Sequence, residues 1–319
     1  MLMVAIGDEF VWLCVWAEHG VMAADGLYDG DALDDLSDHI GRAGSRLDRM
    51  DPGRLDREQV YNELRVRSRD EARERADARV DGSDGGWKWK GLELDPAANR
   101  IADEALAVRL SAEGRDAEGN YAETGITPAM RQVEAELEHG TLVPDTERFA
   151  LKSPERFKEK LAKLIADEPD KLPQQLCGEI HDGIRYTFVS DGQDYSSTVS
   201  MAHERLADAG YELMVRKNTW GNPEYKGINT RWFDPSRDVL FEVQFHTPES
   251  WACKQQMHDA YERISDLTTP TAERERLRDY QRSVTRQLEV PDGCGDIGDY
   301  RCGACGRQSV RTSPAALYG

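Results

Sequence analysis

The sequence predicts an α+β fold, a mixed β-sheet flanked by helices and preceded by a mostly helical N-terminal region. Three observations carry this reading. The run Val239 to His246 alternates, with Val239, Phe241, Val243 and Phe245 on one face and Leu240, Glu242, Gln244 and His246 on the other, the period of a half-buried strand. From Ser153 to Leu288 the patterns run helix, strand, helix, strand, hairpin, helix, helix, an order that packs helices onto a mixed sheet. Between Asp31 and Gly140 the composition shifts to Asp, Glu, Arg and Ala with few large apolar residues, and the patterns there are helical.

At 319 residues and 39% hydrophobic content the chain has material for two domains. The expected division is an acidic, mostly helical region at 1–145, the sheet domain at 146–290 and a flexible Cys/Gly-containing tail at 291–319. Forty-one basic against 60 acidic residues leave −19, which repels nucleic-acid backbones and anionic membranes. DNA and membranes are therefore unexpected partners, while a local lysine cluster keeps tRNA open. The six cysteines are scattered as reduced thiols rather than as a disulfide framework. The apolar N-terminus lacks a basic leader and is interrupted by Asp8 and Glu9. It reads as a strand at Phe10 to Trp16, and the expected location is the cytoplasm, or outside the cell by signal-independent export as an effector.

Taken in order, helices are expected at 32–40, 57–80, 96–110 and 128–139, the second ending in the charged run Arg67 to Arg79, a solvated helix or linker. Trp87 and Trp89 are large apolar area in a polar stretch and suited to docking this arm onto the sheet domain. His19, His39 and His139 are not followed by Asp, so a metal-dependent phosphohydrolase half is not expected. Ser153 reads as an N-cap with Pro154 at the first helical position, and Phe157, Leu161, Leu164 and Ile165 form the buried stripe of that helix. Lys152, Arg156, Lys158, Lys160 and Lys163 make it the most basic stretch, suited to an anion or to pairing with its own acids. Strands follow at 183–189 and 211–217 around a helix at 194–209, then a hairpin closed by Asp234 to Asp238, a helix from Thr247 to about Asp266 and another over 272–288. Glu242, Gln244 and His246 then stand in one row about 6–7 Å apart. Cys294, Cys302 and Cys305 offer three thiols where a closed zinc site wants four ligands, which favours free thiols.

With these strings in place, the span Lys152 to Arg263, about a third of the chain, resembles the synthetase domain of RelA/SpoT-like (p)ppGpp/(p)ppApp synthetases, and most of all the actinobacterial ATP nucleotide 3′-pyrophosphokinases and related toxins. The strings are Leu-Lys-Ser-Pro-Glu-Arg-Phe-Lys-Glu-Lys, Ile-His-Asp-Gly-Ile-Arg-Tyr-Thr, Lys-Asn-Thr-Trp, Tyr-Lys-Gly-Ile-Asn-Thr, Phe-Glu-Val-Gln-Phe-His-Thr-Pro-Glu-Ser and His-Asp-Ala-Tyr-Glu, in that order. The resemblance implies a nucleotidyltransferase-like domain that transfers the β,γ-pyrophosphate of ATP to the 3′-hydroxyl of a purine nucleotide and releases AMP. It implies Glu242 as the strand carboxylate, with Asp182 as the second acid and Mg2+ held by both. It assigns Lys152, Lys160, Arg185 and Lys217 to the ATP phosphates, Tyr225 to stacking on the acceptor base, Asn229, Gln244 and His246 to the acceptor, and His258 to a supporting position.

Departures from the family pattern are specific. The family's Asp lies five residues before the strand arginine, where this chain has Ile180; Asp182 lies three before Arg185. Asn229 stands where the alarmone synthetases commonly carry His, and His246 where they carry Arg, so acceptor preference is expected to differ from GTP or GDP. Two readings follow. One is a 3′-pyrophosphokinase, acting as a toxin with an immunity or antitoxin partner, or on the 3′ end of tRNA. The other is an idle nucleotide-binding module whose N-terminal half recruits a partner.

Overall fold

The computed structural model describes residues 2–6, 9–13, 56–77, 85–115, 121–266 and 268–303. The helix expected at 32–40, residues 14–16 and Cys305 lie outside them. The described residues divide into two units, each entered more than once.

The first unit gathers residues 1–79, 220–226 and 248–289. It holds an antiparallel pair, β1 (Leu2–Ile6) and β2 (Glu9–Leu13), and helices α1 (Arg57–Asp77), α8 (Pro248–Gln256), α9 (His258–Ser265) and α10 (Thr271–Thr285). Val60, Leu64, Cys253, Met257, Ala260, Leu277, Tyr280 and Val284 form its core. The single helix expected from Thr247 to Asp266 is two, because the chain turns at Met257, whose side chain is buried in that core. Residues 220–226 sit on α10: Thr285 Oγ1 donates to the Pro223 carbonyl at 2.5 Å and Arg282 pairs with Glu224 at 2.7 Å.

The second unit gathers residues 80–219, 227–247 and 290–319. Its described elements are a β3–β4 hairpin (Trp87–Trp89, Leu92–Leu94), α2 (Pro96–Glu113), α3 (Ile126–Glu136), β5 (Thr141–Leu142), α4 (Thr146–Phe149), α5 (Pro154–Asp167), α6 (Pro173–Glu179), β6 (Arg185–Val189), α7 (Tyr195–Asp208), β7 (Glu212–Asn218), β8 (Ile228–Asp234), β9 (Val239–His246) and β10 (Tyr300–Arg301). The sheet order is β10-β7-β8-β9-β6-β5, antiparallel throughout except for the parallel β9–β6 pair. Trp87 packs on a cluster built from α2, α5 and α6, with Phe157, Leu161, Leu176 and Ile180 at its centre.

Two expectations change. Val239–His246 is not half-buried: as a central strand it is covered on both faces, and Glu242, Gln244 and His246 are 8%, 5% and 0% exposed. The start of the expected tail is also ordered into the sheet, where Tyr300–Arg301 pairs with Arg216 and Val215 and Asn218 Nδ2 donates to the Cys294 and Ile297 carbonyls.

The faces differ chemically. Ile228, Thr230 and Trp232 of β8 stand opposite Phe245, Val243 and Phe241 of β9, and Tyr186 and Phe188 continue that face onto β6. Helix α7 covers this face, with the Tyr195 hydroxyl donating to the Phe245 carbonyl at 2.8 Å and the His203 ring edge-on to Trp232 and Phe245. Burial, reinforced by Arg216, pushes the His203 imidazole down to about 4. The unfolded chain, with a histidine near 6.5, therefore takes up this proton first, so the contribution is intact above about pH 6.5 and is lost as pH falls toward 4. Urea midpoints at pH 7 and 4.5 should reveal a loss of about 2–3 kcal/mol from this residue. The His203→Gln variant should show a shallower acid decline than the parent; an equal decline overturns the assignment.

Candidate active site

The opposite face carries the polar rows. Lys217, Asn229, Gln244 and Thr187 are in register across β7, β8, β9 and β6. Two residues along, Val215, Arg231, Glu242 and Arg185 form a second row, so that an arginine stands on each side of Glu242. Arg231 was not among the residues expected from the sequence; its signal was only the two-residue step from Asn229 along β8.

A single 3₁₀ turn, His181–Gly183, enters β6 and carries the second acid. Three backbone bonds fix it: Lys152 N to Gly183 O at 2.9 Å, Arg185 N to Ala150 O at 2.8 Å, and Glu242 N to Ile184 O at 2.9 Å. The chain before α5 is thereby laid beside the turn, and the Ser153 cap with Pro154 at the first helical position starts α5 immediately afterward. Lys152, just before the Ser153 cap, and Lys160, within α5, both reach Asp182: Lys160 Nζ lies 2.5 Å from Oδ1 and Lys152 Nζ 3.3 Å from Oδ2. Ile180 is fully buried in the core cluster. The turn therefore brings Asp182, rather than residue 180, to the lysines.

Burial alone would raise the Asp182 carboxyl, but Lys152 and Lys160 outweigh it and hold the group well below the usual carboxylate range. Burial pulls Lys152 below the ordinary lysine value, opposed by Asp182. Glu242 also stays below its ordinary value in spite of burial, through the contact with His181 and the charge of Arg185. His181 Nε2 lies 3.4 Å from Glu242 Oε2, and the Gln244 amide donates to Oε1. Nothing in the motif Ile-His-Asp-Gly assigns His181 a role; the contact arises because the turn packs against β9.

His246 is completely buried, and Gly227 makes room for it: a Cβ on Gly227, whose φ is +158°, would lie 2.8 Å from His246 Cε1. Lys217 is exposed on β7. The second unit thus brings together Asp182, Glu242, Lys152, Lys160 and Arg185 around one turn, with Lys217, Asn229, Gln244 and His246 on the same polar face. Tyr225 and His258 belong to the first unit. Tyr225 is half-buried in the 220–226 loop, where its amide donates to Asn222 Oδ1 at 3.3 Å, and His258 lies 3.6 Å from Glu262 on α9.

The other basic residues of α5 are already paired within the chain: Lys158 with Asp103 at 2.7 Å, Lys163 with Glu159 at 2.9 Å and Arg156 with Glu159 at 3.6 Å. Two ammoniums shared by one carboxylate leave Lys152, Lys160 and Asp182 with a net positive charge. The arrangement suits a compact polyanion. Among the described residues there is no group of three or more His, Cys, Asp or Glu side chains placed to hold a metal, and no helix is long and apolar enough to cross a membrane.

No protein-family model matches the sequence, and no curated protein matches it. Among solved structures, the chain is similar to small alarmone synthetase 1 from Bacillus subtilis bound to its product pppGpp, with a TM-score of 0.34 and 11% identity over 50% of this chain and 81% of that one. It is also similar to another structure of small alarmone synthetase 1 from Bacillus subtilis, with a TM-score of 0.31 and 14% identity over 60% of this chain and 88% of that one.

Proposed function

We propose that the polar face of the sheet is a pyrophosphate-transfer site of the RelA/SpoT-like kind, which moves the β,γ-pyrophosphate of ATP to the 3′-hydroxyl of a purine nucleotide. The observation that carries this reading is Asp182 held between Lys152 and Lys160, one turn away from the row Arg231, Glu242, Arg185. A triphosphate needs cations in excess of acids, and an attacking hydroxyl needs a carboxylate that stays ionised at neutral pH. In the reaction the 3′-oxygen bonds to the β-phosphorus, the bond from that phosphorus to the α,β-bridging oxygen breaks, AMP leaves, and Glu242 takes the hydroxyl proton. Lys152, Lys160, Arg185 and Lys217 balance the phosphate charge; Asn229 and Gln244 mark the acceptor side with the buried His246 behind them, and for Tyr225 the resemblance implies base stacking.

Two carboxylates are a chemically suitable donor set for Mg2+, which takes one or two protein acids and fills its shell with phosphate oxygens and water. Asp182 and Glu242 would hold it, and when bound it would withdraw charge from the phosphates. Because both Asp182 oxygens already face ammoniums, the metal is expected to arrive with the nucleotide. ATP consumption makes action as a toxin with an immunity partner part of the proposal. The internal pairing of Lys158, Lys163 and Arg156 argues for a nucleotide acceptor over tRNA. The place of Asp182 three residues before Arg185, not five, is what favours the second reading, an idle nucleotide-binding module.

Incubation with γ-labelled ATP and each purine nucleotide, resolved by thin-layer chromatography, separates the two. A labelled 3′-pyrophosphorylated product that Glu242→Gln fails to make is expected, with adenine acceptors at least equal to guanine ones. Absence of product with every acceptor, or equal product from the variant, overturns the enzymatic reading.

A further inference from the structure

The site described so far is built from residues 150–247, yet the turn that carries its second acid is held from elsewhere. We infer that Arg109, on α2 of the N-terminal half, is a positioning residue that sets the place of His181 and Asp182 through the turn His181–Gly183. The functional part of this inference rests on the reading above.

Arg109 is 5% exposed. Its Nη2 donates to the carbonyls of Cys177 at 2.6 Å and Ile180 at 3.1 Å, its Nη1 to the Ala105 carbonyl at 3.0 Å, and its guanidinium lies 4.8 Å from the Phe157 ring centre. Cys177 lies in the last turn of α6 and Ile180 caps it; the Cys177 carbonyl accepts from the Ile180 amide at 3.2 Å, and at such a helix end the dipole favours a cation beside the carbonyls. Binding both determines the direction in which the chain leaves α6, and the next three residues are the turn. Phe157 lies on α5 between Lys152 and Lys160 in sequence, so one guanidinium touches the elements that present the acid and those that present its lysines.

Contact with the turn is direct. A Cβ built on Gly183 would stand 2.5 Å from Arg109 Nε and 2.7 Å from Cδ, so residue 183 is a notch cut to the shape of this side chain. Arg109 Nε is buried without a hydrogen-bond partner. Burying a guanidinium costs several kcal/mol, and an aliphatic residue would fill the same space without that cost, so core packing alone does not account for an arginine. Geometry does: two carbonyls and a notch are met by one planar group.

The test uses the full chain and four variants: Arg109→Lys, Arg109→Ala, Gly183→Ala and the Arg109→Ala/Gly183→Ala double. Melting midpoints, kcat and KM for both substrates, and the NMR signals of the His181 imidazole and Gly183 amide are read for each. Arg109→Lys is expected to remain folded and to lose about 10- to 100-fold in kcat, the scale of an ångström of misplacement, with acceptor KM changed less than about twofold. Gly183→Ala should cost a similar factor in the parent and less than about twofold in the Arg109→Ala background, because the clash has been removed. Parent-like kcat in a folded Arg109→Lys, or additive losses in the double variant, overturns the inference. Should Arg109→Ala not fold, Arg109→Lys and Gly183→Ala decide it. Should the parent itself transfer no pyrophosphate, the functional reading fails separately, and the NMR signals decide: shifts at both residues in Arg109→Lys uphold the positioning, unchanged signals overturn it.

Discussion

Asp182→Asn is expected to bind metal-free ATP about tenfold more tightly than the parent while losing pyrophosphate transfer by a factor of about 10²–10⁴. In the free protein the Asp182 carboxylate occupies the two ammoniums that the donor phosphates need, at 2.5 Å from Lys160 and 3.3 Å from Lys152. A triphosphate must displace it, and the loss of one charge-assisted contact is worth about 1.4 kcal/mol, or tenfold. The amide keeps the side chain's shape and drops its charge, so the lysines meet the phosphates without competition. Lys152, which burial already pulls below the ordinary lysine value, loses its counter-ion in the variant until the nucleotide supplies one. Transfer is lost because the amide would not serve as one of the two acids that would hold Mg2+. Isothermal titration with ATP in chelator measures the first effect and the chromatographic assay the second. Weaker or unchanged metal-free binding would show that the lysines are not the donor-phosphate site.

What the sequence makes legible is local. The N-cap and first-turn proline at Ser153–Pro154, the β8–β9 hairpin and the placing of Glu242, Gln244 and His246 on one face all follow from short-range patterns, and the structure has them. Alternation reports which residues share a face, not whether that face is covered, so the burial of Glu242 on a central strand was not available from it. The pairing of Asp182 with two lysines depends on the bridge between Leu151 and Ile184, a contact across more than thirty residues. Spacing from Arg185 does not announce that a 3₁₀ turn carries Asp182 to the two lysines. Helix α6, Pro-Gln-Gln-Leu-Cys-Gly-Glu, is too short to show a period, and the break at Met257 has neither Pro nor Gly to announce it. Arg109 is the extreme case. It lies sixty-eight residues before Cys177, whose carbonyl it binds, in a helix whose exposed charges give no reason to single it out.

Glu242→Gln is expected to lower kcat by about 10³-fold or more with the fold and ATP affinity retained, the scale of removing a group that takes a proton in the transition state. The substitution conserves shape at a site where volume is fixed, between Arg231 and Arg185 in register and with Gln244 on the same face. Removing a negative charge among cations does not weaken a polyanion, so the loss should fall on kcat and not on the KM for ATP. The pH profile then identifies the base. Because His181 and Arg185 hold Glu242 below the ordinary glutamate value in spite of its burial, the carboxylate stays ionised through the neutral range and is lost only as pH falls below about 4.5. With Glu242 as base, kcat/KM should remain level from pH 7.5 down to about 5. The His181 ring, 3.4 Å from Glu242 Oε2, is the neighbouring group that could take the proton instead. His181→Asn keeps a donor in reach of the carboxylate and removes the imidazole. A parent profile that falls between pH 7.5 and 5 and becomes level in this variant would transfer the proton-accepting role from Glu242 to His181, whereas a level profile in both leaves His181 as the group that orients the carboxylate.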